Sequence, residues 1–109
     1  FYDFEFIYSI YVNKNHLTII KLNETKRKEL NNFKINNENE LLEKISFCKE
    51  EYKYKNIIII YGVSNLISKL KDTKDYVVKN DNLDRIQLFE IYTQYLYGIN
   101  MIELEKKLN

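Results

Sequence analysis

The amino-acid sequence predicts an α/β fold: a mixed sheet, made of an antiparallel hairpin plus a parallel central strand, covered by helices. Three observations predict it. The first dozen residues, FYDFEFIYSIYV, are aromatic and β-branched, and a short polar turn separates them from a second apolar run. The segment NIIIIYG (56–62) holds four consecutive isoleucines without alternation, the pattern of a strand covered on both faces. Apolar residues at helical spacing lie on either side of that segment in the chain.

Residues 1–12 read as the first strand. Successive side chains then point to opposite faces, so Asp3 and Glu5 share one side with Phe1 and Ile7, while Tyr2, Phe4 and Phe6 take the other. NKN (13–15) is the turn, and HLTIIKLN (16–23) is the hairpin partner. The polar run ETKRKELNNFKIN (24–36) predicts a loop with a short third strand around Phe33 and Ile35. Asn37 followed by Glu40 matches a capping box, and Leu41, Ile45, Cys48 and Tyr52 then fall on one helical face. A helix from 38 to 53 is long enough to be the crossover that makes 56–61 parallel to the first strand. Val63, Leu66, Ile67 and Leu70 predict a second, short helix over 63–72. Asp84 with Gln87, and Asn100 with Glu103, start two more, over 83–97 and 101–109. The former is apolar around much of its circumference, which predicts a helix sandwiched in the core.

At 109 residues and 45% hydrophobic content the chain suits one domain, 1–109, with a single core. Seventeen basic residues against sixteen acidic ones leave +1, so any contact with nucleic acid has to be local. No stretch approaches the ~20 apolar residues of a membrane span, and the apolar start has no basic region before it, so no membrane and a cytoplasmic location are expected. Cys48 is the sole cysteine, which removes intramolecular disulfides and Cys-based zinc sites and predicts a small core residue. Two isolated glycines exclude a P-loop or dinucleotide fingerprint. One His and one Cys, distant and in ordinary contexts, argue against nucleophilic catalysis. The load of Asn, Lys, Ile and Tyr without proline suggests an AT-rich genome, such as that of a phage or a low-GC bacterium.

Ligands of open α/β sheets sit beyond the carboxyl ends of the strands, a place held here by Gly62, Val63, Ser64 and Asn65. Two acids inside an apolar strand need compensation from a lysine, a backbone N–H or a metal ion. Asp3 and Glu5 therefore either face solvent or pair with lysines such as Lys14 or Lys21, or hold a cation. Asn65 either lies in the first turn of a helix capped by Ser64 or belongs to the same site.

YDFEF (2–6), IIIIYGVSN (57–65) and RIQLFEIYTQYLYGINMIELEKKL (85–108) together resemble, in order, the DEDD-type 3′–5′ exonucleases of the RNase H-like fold. The resemblance implies an RNase H-like mixed sheet, with Asp3 and Glu5 as an Asp-x-Glu motif holding Mg²⁺ or Mn²⁺. Two such ions, ~3.5–4 Å apart, stabilise the attacking and leaving oxygens of phosphodiester hydrolysis. Asn65 stands where the family has its second Asp. An amide oxygen brings no charge, so metal affinity falls. Asp72 lies ~10 Å further on if the segment is helical and does not replace it. The third motif, a His or Tyr followed four or five residues later by Asp, has no counterpart in the matching order. Two of the four metal-site carboxylates are thus present.

The implied function is a catalytically incomplete exonuclease-like domain, with Asp3, Glu5 and Asn65 at the catalytic positions, acting as a binding or regulatory module. A phage-type inhibitor of a nucleic-acid enzyme is one such role. The alternative is a metal-dependent 3′–5′ exonuclease, trimmed or mutated at Asn65. The expected partner is a protein or a nucleic acid, met by the densest basic run, Lys26, Arg27 and Lys28, and by Tyr61 and Ser64. Tyr52, Tyr54 and Tyr61 flank the site and are the candidates for stacking on bases.

Overall fold

The amino-terminal hairpin forms as expected. In the computed structural model, which describes residues 6–23, 25–52 and 58–108, β1 (Ile7–Asn13) and β2 (His16–Leu22) pair antiparallel, from Ile7 opposite Leu22 to Asn13 opposite His16. Lys14 turns the chain at φ 55°, a left-handed conformation uncommon outside glycine.

The third strand is longer than the sequence suggests. β3 (Arg27–Lys34) runs antiparallel along the whole of β2, and its register slips between Ile19 and Ile20, which leaves Leu30 as an extra, bulged residue. The bulge lets Leu30 and Phe33, three residues apart, pack on the same side of the sheet. That spacing hides the strand from a search for period-2 alternation.

α1 (Glu38–Tyr52) starts where the capping box predicts. The Asn37 Oδ1 accepts the Glu40 N–H at 2.9 Å, and the Glu40 carboxylate reaches back to the N–H of Asn36 at 2.7 Å, one residue beyond the usual partner. Leu41, Ile45 and Cys48 are buried as expected. β4 (Ile58–Tyr61) lies beside β1 and parallel to it, with Tyr8 opposite Ile58 and Tyr11 opposite Tyr61, and all four of its residues are buried. A further strand that the sequence reading does not contain, β5 (Tyr76–Lys79), pairs parallel with β4. The sheet order is β3-β2-β1-β4-β5. α2 (Arg85–Leu108) follows.

Each sheet face has its own core. On one, Ile10, Val12, Leu17, Ile19, Ile58 and Ile60 meet Leu41, Ile45 and Cys48 of α1. On the other, Ile7, Ile20, Leu22, Ile59 and Tyr61 meet Leu88 and Tyr92 of α2. Fully burying a side chain of this size contributes about 1.5–3 kcal/mol, so the two clusters hold the layers together. The Oγ of fully buried Ser9 has no hydrogen-bond partner among the described residues.

Three expectations are corrected. The segment 63–72 is not a helix: its backbone closes only i→i+3 bonds, from Ile67 to Ser64 and from Leu70 to Ile67. Its apolar residues still turn inward, Ile67 buried and Leu66 and Leu70 packed on the α1-side core, so helical spacing serves a chain of turns. The helices expected over 83–97 and 101–109 are one continuous helix of 24 residues through Gly98. Nor is its first half sandwiched. Leu88 and Tyr92 are buried, but Ile86 is 70% and Tyr97 66% exposed, because the sheet covers one side of it. Among the described residues, no helix is long and apolar enough to cross a membrane.

Burial pushes the Cys48 thiol up to about 12, with Glu51 adding to the rise and Lys44 opposing it. The thiolate is the reactive form, so Cys48 is expected to resist a thiol-specific disulfide reagent at neutral pH in the folded protein. It should react at once in denaturant; rapid modification of the native chain would contradict its place in the core.

Candidate functional site

β1, β3, β4 and β5 all run the same way, so their carboxyl ends meet on one side of the sheet. There the chain forms an open depression of about 650 Å³. Its polar lining is Lys14 and Asn15 from the hairpin turn, Asn36 after β3, Ser64 and Asn65 after β4, and Asn80 after β5. Its apolar lining includes Ile35 and Leu66.

Gly62 positions the segment after β4. It has φ 129°, and a Cβ there would lie 2.0 Å from the carbonyl oxygen of Val12 in β1. Only glycine fits so close to a neighbouring backbone in that conformation. Its N–H donates to the carbonyl of Asp81 at 2.9 Å and approaches that of Lys79 at 3.3 Å, joining the ends of β4 and β5. Two residues later, the Ser64 Oγ donates to the carbonyl of Lys14 at 2.8 Å and accepts the N–H of Leu66 at 3.1 Å. The Ser64 N–H donates to the Asn80 Oδ1 at 3.4 Å. Ser64 thus ties three of the four strand ends together. On the far wall, the Asn36 Nδ2 donates to the Glu40 Oε1 at 3.3 Å, and the Ile35 N–H donates to the carbonyl of Asn15 at 2.7 Å.

Asn65 is exposed at this depression, and Ser64 is its buried anchor. The expected ligand position beyond the carboxyl end of β4 is therefore a depression with defined walls. Asp3, Glu5 and Tyr54 lie outside the described residues. Phe6, at the start of the described chain, precedes the β1 residues that face the first residue of β4, so it marks the amino end of the parallel pair, whereas Gly62 marks the carboxyl end. Asp72 is committed elsewhere: its Oδ1 accepts the N–H of Val78 at 2.8 Å on the outer edge of β5.

The basic run lies elsewhere. Arg27 faces Leu22 and Lys28 faces Lys21, at the end of β3 remote from Asn65, and Lys26 precedes them. Arg27 is bonded to Glu29 through Nη1 at 3.1 Å. With Tyr61 it lines a second depression of about 610 Å³, on the α2 side of the sheet. Tyr61 is 6% exposed and packs against Tyr11, ring centroids 5.2 Å apart, which leaves its face little room for a stacked base. Burial raises its phenol pKa, and the Arg27 guanidinium acts against that rise. The structure thus divides the expected contact residues into two places: Ser64 and Asn65 in one, Arg27 and Tyr61 in the other.

Asn15, Asn36 and Asn80 are site residues the sequence reading does not contain, and Lys14 appears in it only as a partner for Asp3 and Glu5. Asn15 lies in the predicted hairpin turn and Asn36 at the end of the predicted third-strand segment, but their meeting with Asn65 depends on which strands are neighbours. Asn80 needs β5, which was not expected.

The lining can be weighed against the implied metal pair. Two dications need several anionic oxygen ligands, whereas this depression offers carboxamides, a hydroxyl and a lysine. The lining described here does not fit such a centre. It fits recognition of a polar surface, because each carboxamide both donates and accepts hydrogen bonds.

No family model matches the chain, and no curated protein matches it. A solved structure described as "Archaeal protein" is similar over 93% of this chain at 14% identity, with a TM-score of 0.49. The similarity takes in 39% of that protein, so this chain spans well under half of its length.

Proposed function

We propose that the chain is a degenerate exonuclease-like domain of the RNase H-like fold that works by binding rather than by hydrolysis. The contact is made at the depression beyond the carboxyl ends of β1, β3, β4 and β5. The kinship is supported by an antiparallel hairpin at the amino terminus whose first strand lies beside a parallel central strand. One observation carries the binding role: Asn65, where the family has an acid, sits among Asn15, Asn36 and Asn80 beside Lys14. Neutral carboxamides next to a cation favour hydrogen-bonding groups and anions over metal ions. A protein partner or a nucleic acid can supply both, and inhibition of a nucleic-acid enzyme is one regulatory role this allows.

The test compares the chain with its Asp3→Ala variant on labelled single-stranded DNA and RNA in Mn²⁺. No metal-dependent digestion above background is expected from either. Digestion by the unaltered chain that the variant loses would overturn the proposal in favour of a metal-dependent 3′–5′ exonuclease.

A further inference from the structure

The sheet offers a second contact surface at its β3 edge, away from both depressions. We infer that this edge takes up an extended, acidic segment of a partner protein as an additional strand, with α1 forming a wall beside it. The inference requires neither the exonuclease kinship nor the carboxyl-end depression.

The two edges of the sheet differ. β5 is closed by its own chain: the Asp72 Oδ1 accepts the Val78 N–H at 2.8 Å, and the Thr73 N–H donates to the carbonyl of Tyr76 at 2.9 Å. β3 has no neighbour on its outer side among the described residues. The Ile35 N–H donates to the carbonyl of Asn15, which makes these two a bonded pair. Alternation along an antiparallel ladder then turns the N–H and C=O groups of Asn32 and Lys34 away from β2. A row of unpaired backbone groups is a template for another strand.

The wall beside that row selects side chains. Phe33 is only partly buried, its ring held between two residues of α1. The Lys44 Nζ lies 4.1 Å from the ring centre, and Phe47 meets it edge to face with centroids 6.5 Å apart. Phe47 is itself 44% exposed. A strand added to β3 would lie about 4.8 Å further out, and every second side chain of it would point to the α1 side. Apolar residues at those positions would cover Phe33 and Phe47.

Charge decides the rest of the segment. Lys26, Arg27, Lys28 and Lys34 stand along the edge, and Glu29, the one acid of β3, is bonded to Arg27. On α1, Glu40 and Glu51 share the Lys44 side of Phe47, whereas Glu43 and Glu50 fall on its other side. Five cations thus meet three acids at this surface. Glu40 is held by Asn36, and Lys26, Lys28 and Lys34 make no ion pair among the described residues. Antiparallel pairing with a second copy about the middle of β3 would set Arg27 and Lys28 beside Lys34 of the other copy, so like charges oppose it. Acids alternating with apolar residues satisfy both the lysines and the aromatic wall.

The test titrates three capped heptapeptides into the chain and follows amide shifts and exchange by NMR: one alternating Glu and Val, one alternating Lys and Val, and a fully N-methylated form of the first. The Glu–Val peptide is expected to bind and to slow exchange at Asn32 and Lys34, while the N-methylated form, which has no N–H to donate, fails. Phe47→Ala, at an exposed position, should weaken binding about tenfold. Lys28→Glu combined with Lys34→Glu should reverse the preference, so that the Lys–Val peptide binds better. Asn32→Pro should keep the thermal melt and lose the binding, since an edge strand tolerates proline where the N–H faces outward. Should that variant unfold, the reversal of charge preference decides. Four results would overturn the assignment: no shift at β3 with the Glu–Val peptide, equal binding of either other peptide, tighter binding of oligothymidylate at the same amides, or a concentration-dependent dimer of the chain formed through them.

Discussion

Gly62→Ala is expected to destabilise the fold by about 3 kcal/mol or more, on the order of 15 °C in Tm for a domain of this size. Two costs combine. The backbone at φ 129° is closed to an alanine, and the new Cβ would stand 2.0 Å from the Val12 carbonyl oxygen. Relief by movement is blocked, because Val12 is buried in the interior of β1, paired with Leu17 on one side and next to β4 on the other. Any shift would break the Gly62 bond to Asp81 and pull Ser64 from the carbonyl of Lys14, so the carboxyl-end depression would be lost with the stability. Gly98→Ala is the internal control. No atom lies within 4 Å of a Cβ there, and the position is inside a helix, so that change should stabilise by about 0.5–1 kcal/mol. Thermal melts followed by circular dichroism check both. Equal melting temperatures for the two variants would show that the close approach at Gly62 is absent.

Ile59→Ala and Ile60→Ala are each expected to cost about 2–5 kcal/mol in urea unfolding, the range for truncating a buried isoleucine. These neighbours point to opposite faces. Ile59 belongs to the cluster under α2 and Ile60 to the cluster under α1, and both are fully buried. Their cavities would share no lining across the sheet, so the double variant should lose close to the sum of the two single losses. A small cost for one of them would mean that its face of β4 is open to water. That would remove the layer arrangement on which both depressions depend.

The clearest elements were those whose signal is local and repeated. The hairpin and α1 carry strong turn, cap and periodicity signals, and the run of isoleucines marks a central strand because no solvent-facing position interrupts it. β3 was only half visible, since the bulge at Leu30 puts two core residues three apart and spoils the alternation. β5 has only four residues, three of them half-buried, and holds its place by pairing with β4; no local pattern announces such a strand. The stretch after Gly62 has the right spacing for a helix and is not one. Its Ser64 hydroxyl accepts the Leu66 N–H and donates to Lys14, and a piece so short is marginal as an isolated helix. The second capping pattern, Asn100 with Glu103, suggested a separate helix, but a cap-like pair starts nothing where the chain before it is already helical.

For function the division is sharper. Residue order placed Ser64 and Asn65 beyond a strand's carboxyl end, because strand direction follows from chain length between strands. It could not say that Asn15, Asn36 and Asn80 would join them, since that depends on which strands are neighbours and which way each one runs. The basic run was visible as charge, yet its relation to Tyr61 and Arg85 was not. Arg27, Tyr61 and Arg85 line one depression through the packing of α2 on the sheet, and packing brings distant parts of the chain together with no trace in local spacing.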